Sequence, residues 1–404
     1  MKEWRQYRLI DILDKIIDYR GKTPQKTDSG IPLITAKIIK DGRILPPNEF
    51  IAESNYDNWM VRGIPHEGDV VLTVEAPLGE VAQLGNEKIA LAQRVVTLRG
   101  KEGVLDNTFL KYFLMSQVGQ ARLKARETGT TVTGIKQSEL REVLIDCPDY
   151  EHQLQIASIL RAIDNKIENN RQINDNLEQQ LQSLYREWFI ENPKADWTTV
   201  NLSEIASFTS GYSYKGNELV ESSDTAMATI KNFERNGGFK IDGYKPIVPS
   251  AKLKIDQRAQ LFDILVAHTD LTQNAEVIGN AEILLSKDIY KDLIFSMDLV
   301  KVNAKDSFPF QFLLALLLKN PRFKSHCIGY VNGTTVLHMN KRALPDYETI
   351  IPNSEDAQSL NATAKAIFCQ MSENLTEISN LTKLRDTLLP KLMSGELKIN
   401  GIDC

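Results

Sequence analysis

The residues best suited to chemistry stand in two basic stretches. Between Lys111 and Arg141 there are six Lys or Arg (Lys111, Arg122, Lys124, Arg126, Lys136, Arg141) against Glu127 and Glu139, grouped around Gly129-Thr130-Thr131-Val132. Between Lys319 and Arg342 there are five (Lys319, Arg322, Lys324, Lys341, Arg342) and no Asp or Glu, grouped around Gly333-Thr334-Thr335-Val336. Lysine and arginine neutralise phosphates. A Gly-Thr-Thr run adds a flexible backbone amide and two small hydroxyls that can approach a phosphate or a base edge. A solvated helix face followed by a turn has the same composition. That the arrangement occurs twice, in a chain of net charge −5, favours local patches that bind nucleic acid. The candidate contacts are Arg122, Lys124, Arg126, Thr130, Thr131 and Lys136, then Arg322, Lys324, Thr334, Thr335, His338 and Lys341. Lys22 and Lys37 early in the chain, with Lys215 and Lys231 later, are weaker candidates, because surface lysines also serve solubility.

No catalytic set accompanies them. Gly21-Lys22-Thr23 has the tail of a phosphate-binding loop, but Ile16 stands where its first glycine belongs. Asn192-Pro193-Lys194 and Asn320-Pro321-Arg322 lack the Pro-Pro-aromatic tetrad of an amino-methyltransferase. Five scattered histidines give no metal spacing, and Cys147, Cys327, Cys369 and Cys404 form no CxxC pair. We therefore expect no catalytic residue, no metal and no cofactor on this chain, and reduced thiols in a cytoplasmic protein. The longest apolar run, Phe312 to Leu318, falls short of the roughly 20 residues a membrane span needs, and Met1-Lys2-Glu3-Trp4-Arg5 is charged where a signal peptide is apolar.

The elements that position these residues are themselves written twice. The second Gly-Thr-Thr-Val lies 204 residues after the first, and the same offset matches Leu140 with Leu344, Pro148 with Pro352, Ile163 with Ile367, Asn170 with Asn374 and Leu184 with Leu388. Upstream the offset drifts. Arg122-Leu123-Lys124 matches Arg322-Phe323-Lys324 at 200, Gly68-Asp69-Val70 matches Phe262-Asp263-Ile264 at 194, and Trp4 matches Trp197 at 193. A chain of 404 residues with 42% apolar and 25% charged residues can bury more than one core, and the duplication makes it one unit of about 200 residues repeated.

Each unit ends in a helix. From Ile156 the apolar seam runs Leu160, Ile163, Ile167, Asn170, Asn174, Leu177, Leu181, Leu184, Trp188, in alternating steps of four and three. The second runs Leu360, Ala364, Ile367, Met371, Asn374, Ile378, Leu381, Arg385, Leu388. Such narrow heptad seams predict two helices that pair with each other, with Ile163, Ile167, Asn170, Leu177 and Leu184 facing Ile367, Met371, Asn374, Leu381 and Leu388, and with seam asparagines fixing the register. About 36 residues at 1.5 Å each give a rod of about 50 Å. Neither stretch contains Pro or Gly before Pro193 and Pro390. The earlier part of each unit alternates short strand-like runs (Val70–Val74, Val95–Leu98, Ile264–Val266, Leu299–Val302) with turns and helical segments. The expected fold is α+β: two similar α+β domains and two long helices pairing as an antiparallel coiled coil, in a pseudo-two-fold internal repeat. The expected boundaries are 1–150 for the first domain, 151–192 for the central helix, 193–353 for the second domain and 354–404 for the C-terminal helix and tail.

Over its whole length the sequence resembles the specificity (S) subunits of type I restriction–modification enzymes. The likeness rests on Tyr19-Arg20-Gly21-Lys22-Thr23-Pro24 and on Gly129-Thr130-Thr131-Val132…Ile135-Lys136…Leu140…Pro148 leading into Gln153-Leu154-Gln155-Ile156-Ala157…Leu160. It continues in Gly333-Thr334-Thr335-Val336…Leu344…Pro352 and in Leu388-Leu389-Pro390-Lys391-Leu392-Met393-Ser394-Gly395-Glu396-Leu397. The second copy departs from the pattern, with His338-Met339-Asn340 in place of Gly134-Ile135-Lys136. The resemblance implies two target-recognition domains, each reading half of a split double-stranded DNA sequence. It implies helical spacers that set the gap and dock two modification (methyltransferase) subunits, with restriction/translocase subunits joining. S-adenosylmethionine, ATP and Mg would reside on those partners, and no membrane would be involved. Two other readings stay open: a self-contained DNA-modifying enzyme, and a protein-only coiled-coil adaptor.

Overall fold

The computed structural model describes residues 4–129, 133–272, 274–333 and 336–397. Two compact units share the chain: residues 1–166 together with 381–404, and residues 167–380. Each long helix contributes to both.

The expected duplication is present in the principal sheets. In the first unit a four-stranded antiparallel sheet has the order Leu13–Asp18, Val95–Gly100, Val70–Val74, Leu78–Gln83. In the second the order is Ala206–Ser210, Leu299–Ala304, Ile264–Ala267, Ala281–Ile283. A second sheet in each unit is built on one parallel pair, Ile31–Ile34 beside Ala90–Leu91 and Thr225–Ala228 beside Asp292–Phe295. A two-stranded ladder closes each unit, Arg5–Arg8 with Leu144–Cys147 and Thr198–Asn201 with Glu348–Ile351.

The continuous apolar strands follow from burial on both faces. Side chains of a strand alternate between faces. Val70, Leu72 and Val74 join one core with Phe109, Tyr112 and Phe113, while Val71 joins another with Leu33, Ile34 and Tyr56. Ile264 and Val266 divide from Leu265 and Ala267 in the same way. Two short helices cover one face in each unit, Asn107–Met115 with Gln117–Lys124, and Gln311–Leu318 with Pro321–Ile328. Their caps Ser116 and Asn320 are 204 residues apart. This register corrects the offset of 200 read for Arg122 and Arg322. The short match of basic residues there is coincidental, because the helix start fixes which side chains face inward.

The long helices are Tyr150–Arg186, continued by a π turn over Glu187–Glu191, and Ser354–Met393. They run antiparallel within each unit. In the first, Asp164 pairs with Arg385 (3.2 Å). In the second, Asn170 Nδ2 donates to Glu377 Oε2 (2.6 Å), Asn174 Nδ2 to the Met371 carbonyl (3.2 Å) and Asn374 Nδ2 to Asn174 Oδ1 (2.8 Å). Ile163, Ile167, Asn170, Met371 and Asn374 are buried, and Leu177, Leu184, Ile367, Leu381 and Leu388 half-buried. One detail of the seam changes. The π turn adds a residue to the last turn, so Phe189 rather than Trp188 is the buried aromatic, against Tyr185 and Trp197. The second helix runs through Pro390, and Leu389, Leu392 and Met393 are buried in the first unit's core. A proline this close to the end removes one hydrogen bond and leaves the last turn intact.

Candidate nucleic-acid interface

The residues flanking the two Gly-Thr-Thr segments pair in matching ways. Thr128 bridges Gly134, and Gly134 bridges Glu75. In the second unit Asn332 pairs with His338, and His338 with Thr269. Gly129 (φ 107°) and Gly333 (φ 124°) lie in the left-handed region that favours glycine. At Gly333 a Cβ would also stand 2.3 Å from the Val336 carbonyl oxygen. Thr130, Thr131, Thr334 and Thr335 lie outside the described residues.

Three backbone hydrogen bonds hold the loops around each hairpin, and all three recur. Ile135 N–H donates to Val74 O (2.9 Å), Val74 N–H to Arg94 O (3.0 Å) and Ala92 N–H to Ile34 O (3.0 Å). Their counterparts are Met339 to His268 (2.9 Å), His268 to Asp298 (2.8 Å) and Ser296 to Ala228 (2.9 Å). Side chains tie in the remaining loop of the first unit: Arg20 Nη1 donates to Ile135 O (2.5 Å) and Thr23 Oγ1 to Gln93 Oε1 (3.0 Å). The Tyr19–Thr23 loop, the turn at Gln93–Arg94 and the hairpin therefore form one cluster.

The basic candidates divide by what they touch. Lys22, Lys124, Lys136, Lys215, Lys231 and Lys341 are exposed and make no ion pair or side-chain hydrogen bond among the described residues. Lys37, also exposed, stands 3.8 Å from Glu49, and Arg126 pairs with Glu139 (2.9 Å). Arg122 turns inward, donating to the Leu144 carbonyl (2.7 Å) and Asp146 (2.6 Å). Lys324 caps the carbonyls of Glu276 (2.6 Å) and Arg235 (3.2 Å). Arg322 is exposed on the helix Pro321–Ile328, beside a cleft of about 970 Å³ that also includes Tyr185 and Arg186. Lys22 and Lys136 flank the first hairpin through Arg20 and Ile135, whereas Lys215 and Lys231 lie on other turns of the second unit. His338 is exposed, and it stands near His268 and Lys341. Burial first, then His338 and Lys341, hold the His268 imidazole below its ordinary value.

The sequence reading missed Gln93-Arg94 and Met297-Asp298, the turn residues that enter the central strand of each unit. Carrying the offset of 204 back from Gly129 as far as Val95 and Leu299 would have exposed them. Among the described residues no group of His, Cys, Asp and Glu could hold a metal ion, and no helix is long and apolar enough to cross a membrane.

Fold and hairpins together define a duplicated α+β protein with paired helical spacers. Residues 1–179 match the family described as the type I restriction modification DNA specificity domain. The chain is 26% identical to the type I restriction enzyme MjaIX specificity subunit of Methanocaldococcus jannaschii, over 99% of this chain and 95% of that protein. It is 25% identical to the HindI specificity subunit of Haemophilus influenzae, over 73% and 76%. The crystal structure of a type I S subunit from M. genitalium superposes with a TM-score of 0.62 at 16% identity, covering 96% of each chain, which shows the shared fold. Along nearly its whole length the chain is thus similar to type I restriction enzyme specificity subunits, and its first 179 residues match the family's domain.

Proposed function

We propose that this chain is the DNA sequence-specificity subunit of a type I restriction–modification system and has no active site of its own. Residues 1–150 and 193–353 are its two target-recognition domains, each reading one half of a bipartite double-stranded target. The helices in 151–192 and 354–404 set the unread gap and dock two modification subunits, with restriction/translocase subunits completing the assembly. S-adenosylmethionine, ATP and Mg belong to those partners in this reading, and the assembly works in the cytoplasm. The observation that carries the proposal is the recurrence of the same hydrogen-bonded loop cluster, with exposed cations around it, in both units. One frame bearing different side chains suits two half-sites of different sequence. On this reading Lys22, Lys124, Lys136, Lys215, Lys231, Lys341 and His338, with Lys37, Arg126, Arg322 and the four threonines, approach DNA, while Arg122 and Lys324 brace the frame.

Sequencing the methylome of cells that express this chain with its modification subunit tests the proposal. We expect adenine methylation in a two-part motif with a fixed gap. Methyl transfer by the purified chain alone would favour a self-contained enzyme. Absence of any DNA shift at any salt, with or without partners, would favour the adaptor.

A further inference from the structure

The turn entering the central strand occupies the same place in both units. Gln93-Arg94 precede Val95–Gly100, and Met297-Asp298 precede Leu299–Ala304, 204 residues later. In each unit the second turn residue is tied to the residue that pairs with the hairpin. Arg94 stands 3.6 Å from Glu75, and Thr269 Oγ1 donates to Asp298 (3.1 Å). Its carbonyl accepts from the end of the neighbouring strand, at Val74 and at His268. That fixes the turn and leaves the first residue at its tip. Gln93 is oriented by Thr23 (3.0 Å). Met297 is 55% exposed, with its amide donating to Tyr212 O (3.0 Å). Met297 is thus an exposed thioether on a turn whose next residue, Asp298, is bonded to His268, and it belongs to none of the buried clusters.

We propose that Gln93 and Met297 are matched specificity-determining residues. Gln93 hydrogen-bonds an adenine edge in the first half-site, and Met297 contacts a thymine methyl in the second. The chemistry follows from the side chains: a glutamine amide pairs with adenine N6 and N7, whereas a methionine offers no hydrogen and selects the one base that presents a methyl group in the major groove. Rigid support from repeated backbone bonds is what a reader of base edges requires.

This inference rests on the specificity-subunit reading, and the test separates the two. With the bipartite target known, the complex with modification subunits is titrated with duplexes carrying uracil for each second-half thymine in turn, and 7-deazaadenine for each first-half adenine. We expect one uracil position to weaken binding roughly tenfold, and Met297→Ala to remove that sensitivity while Met297→Leu keeps it. One 7-deazaadenine position is expected to behave likewise, with Gln93→Ala insensitive to it. A bipartite target whose binding ignores every uracil and every 7-deazaadenine overturns this inference and leaves the specificity-subunit reading standing. Equal weakening of all sequences by the alanine variants also overturns it. Absence of any bipartite target defeats the underlying reading.

Discussion

Replacing Asp164 with alanine perturbs the joint between both helices and the rest of the first unit. Asp164 accepts from Lys111 Nζ (2.9 Å) and the Tyr112 hydroxyl (2.7 Å), and Arg385 reaches it at 3.2 Å. Its side chain is 19% exposed, those of Lys111 and Arg385 10% and 14%. Burial pushes the carboxyl up, but Lys111, Tyr112 and Arg385 outweigh it and hold Asp164 below the ordinary carboxylate value. Removing one partner of a buried pair costs 3–5 kcal/mol. The residual exposure of this site argues for the lower end, about 3 kcal/mol, which at about 1.4 kcal/mol per decade is roughly a hundredfold in the opening equilibrium. Hydrogen exchange over 107–115, 150–166 and 381–393 should accelerate by that factor, while 225–228 and 292–295 in the other unit stay unchanged. A folded-state value below the unfolded one means the stabilisation is complete above the unfolded value of about 3.9 and is lost as pH falls through the folded value. The gap between wild type and variant should therefore be level from pH 8 to 5 and close below about 4. A gap under about 0.5 kcal/mol, the scale of an ordinary surface substitution, or equal acceleration in both units, would refute the assignment.

Lys319 lies between Glu282 and Glu178, so Lys319→Met leaves two carboxylates facing each other; chemical denaturation should show a loss of about 3 kcal/mol, largely recovered by adding Glu282→Gln. Burial pushes the Cys147 and Cys327 thiols up to about 12; both should resist a thiol reagent at pH 8 until the chain unfolds, when both should react. The double change Lys22→Ala and Lys136→Ala should weaken binding to all duplexes alike and lower the magnitude of the log–log salt slope by about 2, since each lost phosphate contact removes about 0.9; a fluorescence-anisotropy salt series measures it, and an unchanged slope would place both lysines off the DNA.

Periodicity and repetition carried most of the architecture. The offset of 204 and the alternating steps of four and three were enough to predict two equivalent units and two paired helices, because burial stripes and duplication are written along one dimension. The continuous apolar runs Val70–Val74 and Ile264–Ala267 marked strands, but only the fold shows that alternate residues feed different cores. Charge counting located the hairpins, yet could not separate Arg122 and Lys324, whose charges meet internal carbonyls and a carboxylate, from Lys136 and Lys341, which face solvent. That distinction depends on side-chain direction, which a list of residue types omits. Gln93 and Met297 are linked in the sequence only by the offset of 204, and their residue types gave no signal. A neutral amide and a thioether become notable only when backbone bonds between segments far apart in the chain hold each at the tip of the equivalent turn of its own unit. The sequence determined the repeat, the helices and the neighbourhood of the site; tertiary hydrogen bonding decided which side chains within that neighbourhood stand free to touch a ligand.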